Sequence, residues 1–296
     1  MMRKEKTMNN YVIYTDSACD ISKSTLEEWG VRSVDLSFRF VDEDATYRDN
    51  EMPIKDFYDH MRDGRVAKTS AVNPDEFVSA FEKELKVGND VLYIGFSSAL
   101  STSFNSARIA KEMLSLSYPE RKILTVDSFC ASAGLGLLLN LAAKKANGGA
   151  TIDEVAGFVE SARLNVCHWF TVEDLVYLKR GGRISSAKAF VGNMLGIKPV
   201  LHVDNGGHLV NVTKARGRRL ALSMLLDKYI EARKDKSSSD TVYISHADCN
   251  DDAELLSAMI KEKTGAEVSI ITNVGAVIGA HAGPGTLALF FIGENR

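Results

Sequence analysis

Short apolar runs and helical apolar patterns alternate along the first half of the chain. Tyr11-Val12-Ile13-Tyr14-Thr15 predicts a strand that ends at Asp16-Ser17-Ala18-Cys19-Asp20, and Ser22 to Trp29 predicts a helix stopped by Gly30. Val31 to Phe40 reads as one strand with polar alternation and Lys55 to Arg62 as a short helix. Asn73-Pro74 reads as the capped start of a helix that runs to about Leu85. Val91 to Phe96 predicts a buried strand, Ser103 to Leu116 a helix, and Lys122 to Ser128 a strand that again ends in Asp-Ser. Ala131 to Ala146 predicts a small-residue apolar helix closed by Gly148-Gly149.

The second half starts with a helix from Ile152 to about Asn165, then a strand over Cys167 to Val172. Lys198 to Val203 and His208 to Val212 predict a hairpin, because Asn205-Gly206-Gly207 between them tolerates positive φ. Leu220 to Arg233 reads as a helix, Lys234 to Asp240 as a polar connector, Thr241 to Ser245 as a strand, Asp251 to Thr264 as a helix and Glu267 to Thr272 as the final strand. This is an α/β pattern, in which the turns at the carboxyl ends of parallel strands are where ligands sit. A chain of 296 residues exceeds the size at which one core usually stops growing. Two domains are expected, over residues 9–160 and 161–296.

Composition narrows the class. The formal net charge is −3 and Lys and Arg are scattered, so nucleic acid is not an expected partner. Cys19, Cys130, Cys167 and Cys249 share no metal-type or redox-type spacing and read as reduced thiols, so no metal site is expected. No apolar run follows the basic residues at Met1 to Asn10, and none reaches the roughly 18 residues of a membrane span. A cytoplasmic protein is expected.

Candidate chemistry lies in three segments rich in small and hydroxyl residues: Lys68 to Pro74, Ser97 to Ser103, and Gly279 to Thr286 around His281. Neutral hydroxyls and one imidazole can hold a carboxylate or phosphate without the fixed cation of a salt bridge. Plainer roles compete. Thr69 and Ser70 could cap the helix at Pro74, and Ser101 could cap the helix at Ser103. Asp16-Ser17 and Asp127-Ser128 could organise loops. Arg180-Gly181-Gly182-Arg183 reads most simply as a solvated turn, and His60, His168, His202, His208 and His246 as structural.

In order along the chain, Thr15-Asp16-Ser17, Lys68-Thr69-Ser70, Ser97-Ser98-x-Leu100-Ser101, Val126-Asp127-Ser128, Leu175-x-Tyr177-Leu178-x-x-Gly181-Gly182-Arg183-Ile184, Lys198-Pro199-Val200-Leu201 and Gly279-Ala280-His281-x-Gly283-Pro284-Gly285 resemble the DegV family of fatty-acid-binding proteins. The resemblance covers Tyr11 to Gly293. It implies a two-domain DegV-type α/β fold with a parallel-sheet N-terminal domain and an α/β C-terminal domain. It also implies one long-chain fatty acid as ligand, no cofactor and no catalytic residue, and a bacterial ATP-dependent fatty acid kinase as the partner that makes acyl phosphate. By position, Thr69, Ser101 and His281 match the family's carboxylate site, and Arg216 matches a basic position near the site or in partner docking. Ser70 and Ser98 are further head-group or partner candidates. Phe170, Phe190, Met194, Leu195, Ile197, Ile278 and Leu287 are candidate walls of the acyl tunnel.

Two positions depart from the family pattern. Thr102 stands where the family has Gly, so a Thr is expected in a turn that favours positive φ. Pro74 is displaced by two positions from the family's Thr-Ser-x-Pro. An enzyme remains the competing class, with Ser101 as nucleophile and His281 as base in an acyl hydrolase or transferase. Against it, no Gly-x-Ser-x-Gly elbow surrounds any Ser, and no Walker-type loop is present.

Overall fold

The structure, a computed structural model, describes residues 10–184, 196–234 and 240–296. β1 (Tyr11–Asp16) is followed by α1 (Lys23–Trp29), and β2 (Val31–Val34) returns parallel to β1 with Ile13 opposite Val31. β3 (Ser37–Phe40), β4 (Tyr47–Arg48), α2 (Ile54–Arg62) and β5 (Ala67–Ser70) form a small unit whose sheet has the order β4-β3-β5. The single strand expected over Val31 to Phe40 is thus two strands in different sheets. The chain leaves the parallel sheet at Asp35, where buried Leu36 turns inward.

α3 (Pro74–Lys86), β6 (Asp90–Gly95), α4 (Ser103–Ser117), β7 (Ile123–Asp127), α5 (Ala133–Asn147) and α6 (Ile152–Ala162) complete the first half. β2-β1-β6-β7 is a fully parallel sheet. α3 starts where it does because Asn73 and Glu76 form a reciprocal capping box, each side chain accepting the other's backbone N–H at 3.0 Å, with Pro74 in the first turn. Capping at this start therefore falls to Asn73, not to Thr69 or Ser70. Phe77 and Phe81 on α3 then meet Tyr93 of β6 at ring-centroid distances of 5.0 and 6.1 Å.

β8 (Val166–Thr171), α7 (Val176–Arg180), β9 (Ile197–Val203), β10 (Leu209–Arg216), α8 (Arg218–Ala232), β11 (Val242–His246), α9 (Asn250–Thr264), β12 (Val268–Asn273), α10 (Ala276–Ala282) and β13 (Leu287–Ile292) follow. They give a six-stranded sheet of order β10-β9-β8-β13-β11-β12, antiparallel except for β11 with β12. The strand expected to be last, ending near Thr272, is followed by β13, which occupies the middle of the sheet. Period-two alternation divides β13 between two cores. Leu287, Leu289 and Phe291 join Leu222, Leu225, Leu256 and Ile260 under α8 and α9, while Ala288 and Phe290 face the parallel sheet's side.

α5 lies between the two sheets. It touches β8, β11 and β13 as well as α1 and α6, so Leu135, Leu137, Leu138 and Leu139 are all buried. The first two turns of the helix are covered all round and carry no polar side chain, whereas Lys144, Lys145 and Asn147 near its end are exposed. One hydrophobic cluster runs unbroken from Ile13 and Leu92 through this helix to Phe170 and Phe290. Among the described residues no helix is long and apolar enough to cross a membrane, and the four cysteines are free.

Candidate functional site

A cavity of about 250 Å³ lies at the junction of the three sheets. β5 contributes Thr69, the turn after β6 contributes Leu100 and Ser101, and α10 contributes Ile278 and His281. The opposite wall is the face of the six-stranded sheet that carries Phe170, Ala288 and Phe290. Apolar side chains make most of this surface; one group of polar side chains gathers where β5, the turn and α10 meet, and Ser132, His168, Ser245 and Thr286 lie elsewhere on the wall.

The central contact there joins Thr69 Oγ1 to His281 Nε2 at 2.8 Å. Register places Thr69, because its neighbour in β3 is Phe38 at the centre of an aromatic cluster with Phe40 and Phe57. Two buried carboxylates place His281. Asp20 accepts the Gly275 N–H at 3.0 Å and Asp49 accepts the Val277 N–H at 2.8 Å, which anchors the first turn of α10. Burial holds the His281 imidazole down to about 4, and the cation of Arg183 nearby pushes the same way. The ring is therefore neutral near neutral pH. Its Nδ1 has no partner among the described residues. A proton on Nδ1 would be an unsatisfied buried donor, so the favoured tautomer carries the proton on Nε2 and donates to Thr69. That leaves the Thr69 hydroxyl proton free for a ligand oxygen.

Ser101 belongs to the same wall. Its Oγ accepts the Ser103 N–H at 3.2 Å and lies 3.1 Å from Ser103 Oγ, which in turn accepts the Val72 N–H at 3.2 Å. The hydroxyl thus helps to order the start of α4 and still faces the cavity. Thr102 has φ −80° and ψ −2°, an ordinary right-handed conformation, so the positive φ expected at this departure does not occur. The turn closes instead on Ser97, whose Oγ donates to Gly207 O at 3.0 Å across the β9–β10 hairpin. Gly207 sits at φ 78° and a Cβ there would overlap the Ser97 hydroxyl, so hairpin and turn both need glycine at that point.

Arg183 departs from the solvated Arg-Gly-Gly-Arg turn that the sequence predicts. It is half-buried and lines the cavity, with Nε donating to Leu100 O at 3.0 Å and another nitrogen to Gly181 O at 2.6 Å. Nothing in the turn's own composition signals this, since the acceptor that draws Arg183 inward lies 83 residues away. Arg180 does stay exposed, over the Tyr177 ring. The structure thereby adds to the cavity wall a cation that is not among the sequence candidates.

Gly181 lies against His281 Nδ1, and a Cβ at Gly181 would overlap that nitrogen. Gly181→Ala is expected to displace the ring from Thr69 while leaving the surrounding fold intact. Ligand affinity should fall by about tenfold, the worth of one disturbed charge-assisted hydrogen bond, with little change in unfolding temperature. Calorimetric titration beside thermal unfolding checks both.

Of the remaining sequence candidates, Phe170 and Ile278 are on the cavity wall. Leu287 packs on the other face of its sheet, under α8 and α9, because alternation in β13 turns it away. Ile197 is half-buried at the start of β9, opposite Arg216, and does not line the cavity. Ser70, Ser98 and Arg216 are exposed and also off its wall. Phe190, Met194 and Leu195 lie outside the described residues. Asp16 and Asp127 organise loops: Asp16 accepts from Ala18 N–H, Tyr93 O–H and Phe96 N–H, and Asp127 from Ser98 and Phe129 N–H. His168, expected to be structural, does reach the cavity wall.

Asp49 also gives the protein a pH dependence. Burial pushes its carboxyl up to about 6, against the hydrogen bonds from Val277 N–H and Ser17. Its pKa is raised on folding, so its contribution to stability is complete below the unfolded value near 4 and is lost as pH rises through 6. Moving the carboxyl's midpoint that far is equivalent to about 3 kcal/mol. Asp49→Asn is expected to flatten the fall in stability between about pH 4 and pH 7, as denaturant titration at several pH values would show.

Fold and site together describe an α/β protein with an internal apolar cavity, one end of which carries hydroxyls, a neutral imidazole and an arginine. The chain belongs to the DegV family: the family profile described as "Uncharacterised protein, DegV family" matches residues 10–294. It is 43% identical to a DegV domain-containing protein of Clostridium perfringens over 98% of this chain and 99% of that one. A DegV lipid-binding protein of Thermotoga maritima has the same fold at a TM-score of 0.84 and 30% identity, covering 98% of this chain and 100% of that one. DegV of Bacillus subtilis, a fatty acid binding protein, superposes at a TM-score of 0.83 with 30% identity over 97% and 100% of the two chains.

Proposed function

We propose that this protein carries one long-chain fatty acid and presents its carboxylate to an ATP-dependent fatty acid kinase. The observation that carries the reading is the Thr69–His281 pair, which leaves a hydroxyl donor facing an apolar cavity. Thr69 and Ser101 donate to the carboxylate, and His281 orients Thr69. Arg183 supplies a positive field, but two of its nitrogens are already on the carbonyls of Leu100 and Gly181, so it is not a free bidentate clamp. The acid is held firmly enough to leave water and loosely enough to stay reactive toward phosphate. The apolar wall supplies most of the affinity, at about 0.8 kcal/mol for each buried methylene. The fatty acid and lipid binding of the Bacillus and Thermotoga relatives supports the same ligand class.

Hydrolysis by this chain is the weaker reading. His281 Nε2 is bonded to Thr69 and the Ser101 hydroxyl to Ser103, and no hydrogen bond joins Ser101 to His281. An imidazole held near 4 is also a poor general base at neutral pH. Four free thiols agree with a cytoplasmic setting. The test combines the protein, hexadecanoic acid, ATP and a purified bacterial fatty acid kinase, and traps acyl phosphate with hydroxylamine. Trapped product that requires both proteins supports the reading. Acyl-ester turnover by this chain alone, lost in Ser101→Ala, would replace it with the hydrolase.

A further inference from the structure

We propose that Ser245, backed by Ser132, forms a second polar contact inside the cavity, selecting long-chain fatty acids that carry a hydroxyl group within the chain. The proposal rests on the fatty-acid reading above and names the substrate class that the wall fits.

The sheet register sets up the contact. Ala288 of β13 is flanked by Phe170 on β8 and Ser245 on β11, and Phe290 is flanked by His168 and Tyr243. Ser245 is therefore a buried hydroxyl set into an apolar sheet face, and with Ser132 it belongs to the cavity wall. Such a position favours Ala or Val, because a buried hydroxyl costs free energy unless it is hydrogen-bonded. Its partner is Ser132 Oγ at 2.9 Å, at the start of α5 on the facing side. Ser132 in turn is hydrogen-bonded to the Asp20 carboxyl, whose other oxygen accepts the Gly275 N–H at 3.0 Å.

Following the protons along this row leaves one function of Ser245 over in either direction. With Asp20 ionised, Ser132 donates to Asp20, Ser245 donates to Ser132, and the lone pairs of Ser245 remain. With Asp20 protonated the row reverses, Ser132 donates to Ser245, and the Ser245 proton remains. A ligand hydroxyl, both donor and acceptor, matches either state. A methylene matches neither, and a carbonyl matches only the second.

The other polar groups beside this patch are already satisfied. His168 has Nδ1 on Val166 O at 2.9 Å and Nε2 on Ala131 N–H at 3.3 Å, and Thr286 donates its hydroxyl to carbonyls of α10 and Gly283. Among the described residues no hydrogen bond joins the Asp20–Ser132–Ser245 row to Thr69, Ser101 or His281, so it is a separate station from the head group.

The experiment measures calorimetric affinities of the wild-type protein and of Ser245→Ala for octadecanoic acid and for octadecanoic acid bearing one mid-chain hydroxyl. The wild type is expected to favour the hydroxy acid by about threefold to tenfold, one net hydrogen bond, and Ser245→Ala to bring the ratio to one or below. Ser245→Thr, which keeps a hydroxyl, should retain a preference and guards against a loss caused by repacking. A wild-type preference for the plain acid, or a hydroxy-acid preference that survives in Ser245→Ala, overturns the proposal and leaves the carrier reading intact. Uptake of neither acid overturns the carrier reading and this proposal together.

Discussion

Replacing Thr69 and Ser101 together by Ala is expected to cut the affinity for hexadecanoic acid by about a hundredfold or more. Each hydroxyl gives one hydrogen bond to a carboxylate in a site mostly shielded from water, and a bond to a charged group contributes about 1.5–3 kcal/mol. The carboxylate cannot be left bare in an apolar cavity, so losing both donors forces it to draw in water or to bind protonated. The Ser101 hydroxyl accepts one N–H at the start of α4, a local contact, and the framework around both residues rests on backbone bonds. Thr69 is placed by the β3–β5 ladder and Ser101 by a turn that keeps its backbone bonds to Ser97. Circular dichroism should therefore report an unchanged fold. An affinity within about threefold of the wild type would show that the head group is held elsewhere.

Ala288→Phe is expected to have an effect of similar size from the other end of the ligand. Ala288 lines the cavity between Phe170 and Ser245, and a benzyl group there occupies the space of a stretch of acyl chain. Excluding about four methylenes at 0.8 kcal/mol each costs about 3 kcal/mol, or roughly a hundredfold in affinity. Overpacking inside a full core would cost about 1–3 kcal/mol of stability, but this side chain grows into a cavity, so the unfolding temperature should move little. Titration with hexadecanoic acid beside thermal unfolding separates the two effects. Undiminished binding would place the tail outside this cavity.

The elements that could be read from sequence are those whose signals are local. Asn73-Pro74 marks a helix start because cap and first turn are adjacent, and Asn205-Gly206-Gly207 marks a hairpin because its backbone conformation is set within the turn. What could not be read depends on distant partners. β13 is buried on both faces between β8 and β11, so its Leu-Ala-Leu-Phe-Phe-Ile run carries no alternation to betray it. β5 is four residues long and half-exposed, and only its pairing with β3 makes it a strand. The site follows the same rule. Thr69 and His281 are 212 residues apart, and the structure brings them to 2.8 Å. The resemblance to a family supplied both names, while the link between them needed three dimensions. Arg183 had no local signal, because the Leu100 carbonyl that turns it inward belongs to another part of the chain.

The most direct test of the central claim is native mass spectrometry of the purified protein, followed by solvent extraction of whatever it carries. A single adduct with the mass of one long-chain fatty acid, lost on extraction and absent from the Ala288→Phe protein, is the expected result. A protein that is empty as purified and takes up no added acid would contradict the account.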